Sequence, residues 1–572
     1  MFHSVLLGLS SLRRREVLVT SVIIMGFALC LILPQWLQGT FIAGSDLLFH
    51  YNRFYDTAMQ IKTGHYSYFM TLFGFQASGR IVNALYGPYF AYFQGLLVLL
   101  TPSWLAYQLL SRWLIATLAG LSLFRLLKRI NLNQWPALAM AMVYMTTFSI
   151  QYWTYRQGFT SWGAAIFPWC LIPAIDYAQK HKISIGRLAL SVALMTQVHL
   201  LSTFFLVLSY LPFYAYGFWT DQQKGQAIKR IVASMLVFVL LSLNVFLPLV
   251  QVNARNTLLA PFVNKSMAAN TINGTASYWL ATPVLLVILL IVFVGWQLLK
   301  WRQASALSRL TFLSFLGFSF CATSLFPWAW ANAHHIKAIE TLQFPFRFFV
   351  PALVFLFLGL GLLWKNAFQQ KSWRRLGLAF LLLTALTGWV QLQVILPQQR
   401  GYRNSYNTIP NGKHLRVLTD DAGIRKAFSS KDKADLLALA VKSTPDYLPQ
   451  TSQKTDVNYY DVYDELVIKP NEKYQKVQTG QELQVTWQAQ SAGQVELPVI
   501  AYADSRLTLN GHKLTKKDYS RGLIGTVIVH QVKGTNHLTL SYQSPKTFVF
   551  AIWLNILSWI ILGIWGLFHH KA

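Results

Sequence analysis

The chain has 572 residues, 54% hydrophobic and only 12% charged, against roughly 25% charged in a soluble domain, which excludes an ordinary cytosolic enzyme. Its formal charge of +29 does not indicate nucleic acid either, because the positive residues are divided among short clusters between apolar runs rather than gathered on one face. The acids are uneven: Glu16, Asp46, Asp56, Asp176, Asp221 and Glu340 are the six before residue 398, and fourteen follow. A long apolar part almost without carboxylates is therefore joined to a polar part able to fold in water.

Apolar runs approaching the ~20 helical residues needed to cross a bilayer fall at 17–37, 104–124, 136–153, 162–178, 187–198, 200–218, 231–251, 279–298, 310–326, 348–364, 376–397 and 548–567. Arg13, Arg14 and Arg15 precede the first, and no small-residue cleavage site follows it, so it reads as a span rather than a signal peptide. The expected fold is a polytopic α-helical membrane protein of about twelve spans, with domains at 1–397, 398–547 and 548–572.

Positive residues near span ends stay in the cytoplasm. With both termini inside, the clusters Arg125/Lys128/Arg129, Lys180/Lys182/Arg187, Lys224/Lys229/Arg230, Lys300/Arg302/Arg309 and Lys365/Lys371/Arg374/Arg375 all fall on that side. Counting the apolar stretch 84–101 as a crossing would send Arg125 to Arg129 outside, so it is expected to be a juxtamembrane or re-entrant helix. The outward segments are then 38–103, 154–161, the turn at 199, 252–278, 327–347 and 398–547. Cys30, Cys170 and Cys321 lie in apolar runs, which leaves the exported block without disulfides and suits a bacterial cell membrane.

Within the exported block, 482–545 alternates with period two, in short β-branched and aromatic runs separated by turn residues. Asn510-Gly511 supplies a hairpin turn whose two central residues both need positive φ. The block is expected to be α/β and to end in a small antiparallel β-sandwich.

Three acids remain on the outward side: Asp46, Asp56 and Glu340. Ionisable groups close to a bilayer are costly and mark candidate sites. If the segment after the first span is helical, Asp46, His50 and Arg53 share one face. Asp46 would abstract a proton from an acceptor hydroxyl, His50 orient it, and Arg53 meet a phosphate. The alternative is that Asp46 only caps the helix. His334 and His335, near Glu340, are weak candidates for a divalent metal because neighbouring side chains diverge; no cofactor is assigned. Arg347, together with Arg53, Arg80, Arg156, Arg255, Lys265 and Lys337, makes the outer face cationic, as a lipid-linked phosphate requires.

In this arrangement the chain resembles GT-C glycosyltransferases, and more narrowly the YfhO-like bacterial membrane proteins, also called 6-pyruvoyl-tetrahydropterin synthase-related. The resemblance rests on 44–50 (GSDLLFH), 86–89 (YGPY), Tyr155-Arg156, 199–202 (HLLS), 343–347 (QFPFR), 446–449 (DYLP) and the terminal sandwich with Leu509-Asn510-Gly511. It implies transfer of a sugar from a polyprenyl-phosphate-linked donor to a teichoic acid, another cell-envelope polymer or a glycolipid. Asp46 matches the first-loop catalytic carboxylate, and Tyr86, Arg156, His199, Gln343 and Arg347 are the substrate-binding residues implied. Membrane lipids, a donor-synthesising glycosyltransferase and a flippase are the implied partners. Similar proteins tend to carry a glutamate where this chain has Ser161, so either Glu340 or Asp56 supplies a second carboxylate, or the enzyme works with one, or its activity is altered. A lipid or polysaccharide flippase and a catalytically silent envelope-assembly protein are the competing readings.

Overall fold

A computed structural model describes residues 14–273, 283–368, 371–400, 414–451 and 457–568. Arg13, the start of the 279–298 run and the C-terminal tail 569–572 lie outside them, as do the side chains of Arg14, Arg15 and Lys337. Seven of the expected runs coincide with helices long and apolar enough to cross a membrane: Glu16–Gln38, Trp104–Arg129, Leu200–Thr220, Lys224–Arg255, Pro345–Ala367, Trp373–Val394 and Lys546–Gly566. The protein is thus a multi-pass membrane protein by the length and composition of its helices. Pro345–Ala367 is 94% buried and forms the hub of the bundle, whereas Lys546–Gly566 is 11% buried and turns Phe550, Trp553 and Ile561 outward, as a lipid-facing helix does.

The other five runs depart from a simple crossing. The 136–153 run is two helices, Gln134–Met145 and Phe148–Arg156. They part at Thr146 and Thr147, whose hydroxyls donate to the Val143 and Tyr144 carbonyls at 2.8 and 2.7 Å, a local bonding that competes with continuing the helix. Ile185–Val198 has 14 residues, about 21 Å at the helical rise, short of a bilayer's ~30 Å apolar thickness. Pro283–Leu299 and Ala306–Ala322 have 17 residues each. Thr160–Lys180 has the length but carries Pro168, Pro173 and Asp176 and is not among the seven apolar helices. The 84–101 stretch contains the 13-residue helix Pro88–Leu100, one of the shorter apolar helices.

Two short strands, β1 (Leu415–Val417) and β2 (Ala440–Lys442), pair antiparallel and place Lys442 opposite Leu415. Eight more follow: β3 (Gln475–Thr479), β4 (Glu482–Ala489), β5 (Gly493–Ile500), β6 (Ser505–Leu509), β7 (His512–Lys513), β8 (Ser520–Arg521), β9 (Thr526–Gln531) and β10 (Gly534–Tyr542). They form two antiparallel sheets in the orders β3-β4-β10-β6-β7 and β5-β9-β8, so the sheet region starts before the expected 482. Asn510 and Gly511 turn β6 into β7 with φ of +49° and +86°.

The expected border at 397 does not separate two self-contained units. Met70 and Leu72, from the loop after the first span, belong to the same buried cluster as Leu483, Val485, Leu538 and Leu540 of the sheets. The main chain follows: the Ile500 N–H donates to the Ser78 carbonyl at 2.8 Å, and Gln478 and Lys476 side chains donate to the Leu72 and Gln76 carbonyls, each at 2.8 Å. At the neighbouring contact Phe41 stacks on Phe428 at 3.7 Å. Leu72 is fully buried; its replacement by alanine is expected to cost about 2–5 kcal/mol, to be read as a lower thermal midpoint and faster proteolysis within 475–542.

Candidate functional site

Asp46 stands at the start of helix Leu47–Thr63, but its side chain makes no capping hydrogen bond. The local geometry is held by the main chain: the Asp46 N–H donates to the Arg156 carbonyl at 3.2 Å, and the His50 N–H donates to the Asp46 carbonyl at 3.0 Å. Gly44 makes this approach possible, since a Cβ there would overlap the Gln157 side chain and the Arg156 carbonyl. The carboxylate thus makes no helix cap and stands in the field of several cations.

Those cations come from three separate parts of the chain. Burial raises the Asp46 pKa, and Lys442, Arg347, the Ser45 hydroxyl and Arg156 oppose the rise. Arg156 ends helix Phe148–Arg156, where Gln157 turns the chain with φ +55°. Arg347 leaves the Pro345–Phe348 turn and donates to the Leu342 carbonyl at 2.8 Å and to Gln343 Oε1 at 3.1 Å. Its Nε is buried and unpartnered. Among the described ion pairs, none involves Arg156, Arg347 or Lys442. This end of the bundle therefore presents three cations that form none of the described ion pairs, which suits an anionic ligand.

Comparison with family models, curated proteins and solved structures finds no match to this chain.

The residues below Asp46 on the same helix face have a different task from the one expected. Arg53 is fully buried, and its guanidinium lies 4.2 Å from the Tyr86 ring and 5.3 Å from that of Phe159. It also donates to Asn83 Oδ1 at 3.0 Å and to the Tyr86 carbonyl at 3.4 Å. These contacts pack Arg53 beneath the site. His50 is 2% exposed and lies 3.3 Å from Arg53 through Nδ1. Burial first, then the charge of Arg53, holds its pKa well below the usual range, so it is neutral at physiological pH. Tyr86 is the stacking partner of Arg53, and Gln343 holds Arg347 while its Nε2 donates to the Phe262 carbonyl at 2.6 Å. His199, in the turn between two helices, meets the Ser202 hydroxyl at 2.8 Å; burial, then Arg347 and Arg53, lowers its pKa to about 3.

Neither candidate for a second carboxylate faces Asp46 in this way. Asp56 Oδ1 accepts the N–H groups of Leu72, Phe73 and Gly74 at 2.7, 2.8 and 3.3 Å, and Oδ2 accepts Gln60 Nε2 at 2.8 Å. It is a structural buckle for the loop that enters the sheet region. Glu340 lies 3.2 Å from His335 Nδ1, while His334 turns to the Trp330 carbonyl at 2.9 Å. The adjacent histidines thus diverge, and among the described residues no group of three or more His, Cys, Asp or Glu is placed to hold a metal. Ser161 is fully buried and accepts the Trp153 N–H at 2.7 Å, so that place is closed to a carboxylate.

The acid that does stand in the field of Asp46 is Asp446, which sequence reading placed in a motif but not in the site. Burial raises its pKa, Arg80 and Lys442 oppose this, and Asp46 adds to it. Its loop is pinned from both sides. Arg80 donates to the Thr444 carbonyl at 2.6 Å and also to the Asp446 carbonyl, and Tyr447 and Leu448 exchange main-chain bonds with Leu259 at 2.9 and 2.8 Å. Lys442 was missed for the same reason: only the folded chain carries β2 to helix Leu47–Thr63.

Proposed function

We propose that this protein is an inverting membrane glycosyltransferase of the GT-C type, moving a sugar from a polyprenyl-phosphate-linked donor to an extracytoplasmic cell-envelope acceptor. The acceptor is a teichoic acid, another surface polymer or a glycolipid, and both termini lie in the cytoplasm of a bacterial cell. The observation that carries this reading is the Asp46 carboxylate, which makes no helix cap, in the field of Arg156 and Arg347. These two cations are the ones placed for a phosphate in the sequence reading that also stand in the field of Asp46.

The chemistry is a single displacement. Asp46 takes the proton of the acceptor hydroxyl as its oxygen bonds to the anomeric carbon, while the bond from that carbon to the phosphate oxygen breaks. The lipid phosphate leaves as an anion, stabilised by Arg347 and Arg156, and needs no general acid. Arg53, packed beneath the site, fixes Tyr86 and His50 rather than touching the phosphate.

The test is mass spectrometry of cell-envelope polymers from a deletion strain, with and without the wild-type chain supplied in trans. The deletion is expected to lack one sugar while the lipid-linked donor persists, and the anomeric configuration of the restored linkage is expected to be opposite to the donor's. Polymers that keep every sugar, or a linkage with retained configuration, contradict the proposal. Loss of the whole polymer with its precursor held on the inner leaflet would instead favour a flippase.

A further inference from the structure

The Asp46 loop ends against a residue from far along the chain. Lys442 Nζ donates to the Ser45 carbonyl at 2.6 Å, one residue before Asp46, while the Asp46 N–H is held by the Arg156 carbonyl. Lys442 is fixed in turn: it ends β2, paired with β1, and both β2 and helix Ala434–Leu439 pack on helix Leu47–Thr63. The backbone that carries its ammonium is therefore fixed against the Asp46 helix.

The groups facing Asp46 come from every side of the site. Ser45 lies on its own segment, Arg156 and Arg347 come from the helical bundle, Lys442 and Asp446 from the C-terminal block, and Tyr86 from the first long loop. Lys442 is the strongest of the charges opposing the effect of burial on Asp46, and it stands in the fields of both Asp46 and Asp446. Two partly buried acids close to one another ionise together at a cost, and one cation serving both lowers that cost.

We propose that Lys442 is a positioning residue of the Asp46 site: it ties down the Ser45 carbonyl and sets a positive charge beside the carboxylate, which makes the C-terminal block part of the catalytic apparatus rather than an accessory that binds acceptor. The proposal rests on the reading of Asp46 as general base for its consequence in catalysis, but the coupling between the two side chains is measurable without it.

The full-length chain in lipid nanodiscs is titrated by pH-difference infrared spectroscopy, with Asp46→Asn as the subtraction that isolates the Asp46 carboxyl band. Lys442→Met is expected to raise the Asp46 midpoint by about one pH unit or more, the usual effect of losing a nearby opposite charge, and Lys442→Arg to leave it near the wild-type value. Lys442→Gln is the second neutral variant should the methionine chain fail to fold. In cells, sugar content of the envelope polymer is expected to fall in Lys442→Met and to recover as the external pH is raised. A lysine with a merely structural role gives no such recovery. An unchanged Asp46 midpoint in both neutral variants overturns the proposal. A raised midpoint with polymer sugar unaffected by both Lys442→Met and Asp46→Asn keeps the coupling and defeats the transferase reading instead.

Discussion

Replacing Asp56 with alanine is expected to leave little folded protein. The carboxylate accepts three consecutive backbone N–H groups and the Gln60 amide, and each donor stranded in a buried place costs about 1–3 kcal/mol. The sum approaches a typical net folding stability of roughly 5–15 kcal/mol. The damage also spreads, because Leu72 enters the core of the sheet region and Gly74 lies against the Asn52 carbonyl. Asp56→Asn keeps an oxygen at the acceptor position and is expected to recover much of the loss. Membrane yield, monodispersity on size exclusion and the thermal midpoint distinguish the two variants. The pH dependence has a definite sign: burial pushes the folded pKa up to about 6 from the ordinary 3.8. The folded state therefore binds the proton more tightly, so this group's contribution is largest near pH 4 and falls as pH rises through 6.

Asp46→Asn, ten residues earlier, is expected to do the opposite: preserve the fold and remove the activity. Its carboxylate holds no helix cap, and the main-chain bonds to Arg156 and His50 survive the change. The amide is nearly the same size and removes an acid whose burial already raises its pKa, so the thermal midpoint is expected to stay the same or rise slightly. What the amide cannot do is accept a proton at neutral pH, and losing a general base costs about 10²–10⁴ in rate. Two outward acids of similar appearance in the sequence thus separate into a chemical one and a structural one, with expected outcomes that cannot be exchanged.

Much of this was legible in the sequence where the signal is local. The apolar runs gave the long helices, and the alternation after 482 gave the sheet region. Scarcity of acids led to Asp46, and the outward arginines included both cations from the bundle that now face it. Local reasoning failed where packing decides. Helical spacing brought His50 and Arg53 together, but it did not reveal that Phe159 and Tyr86 pack around Arg53. Thr146 and Thr147 broke a run that hydropathy alone reads as continuous. Lys442 lies 397 residues from the Ser45 carbonyl it meets, and no periodicity connects them. Asp56 looked like a site because an acid near a bilayer is rare; its three N–H partners sit in a loop whose path depends on the C-terminal sheets.

The most direct test of the central claim is the sugar content of the envelope polymer, measured by mass spectrometry, in a deletion strain carrying either wild-type protein or Asp46→Asn at matched membrane levels. Full decoration is expected with the wild type, and decoration at the level of the empty deletion strain with Asp46→Asn. Equal decoration by the two proteins would contradict the claim.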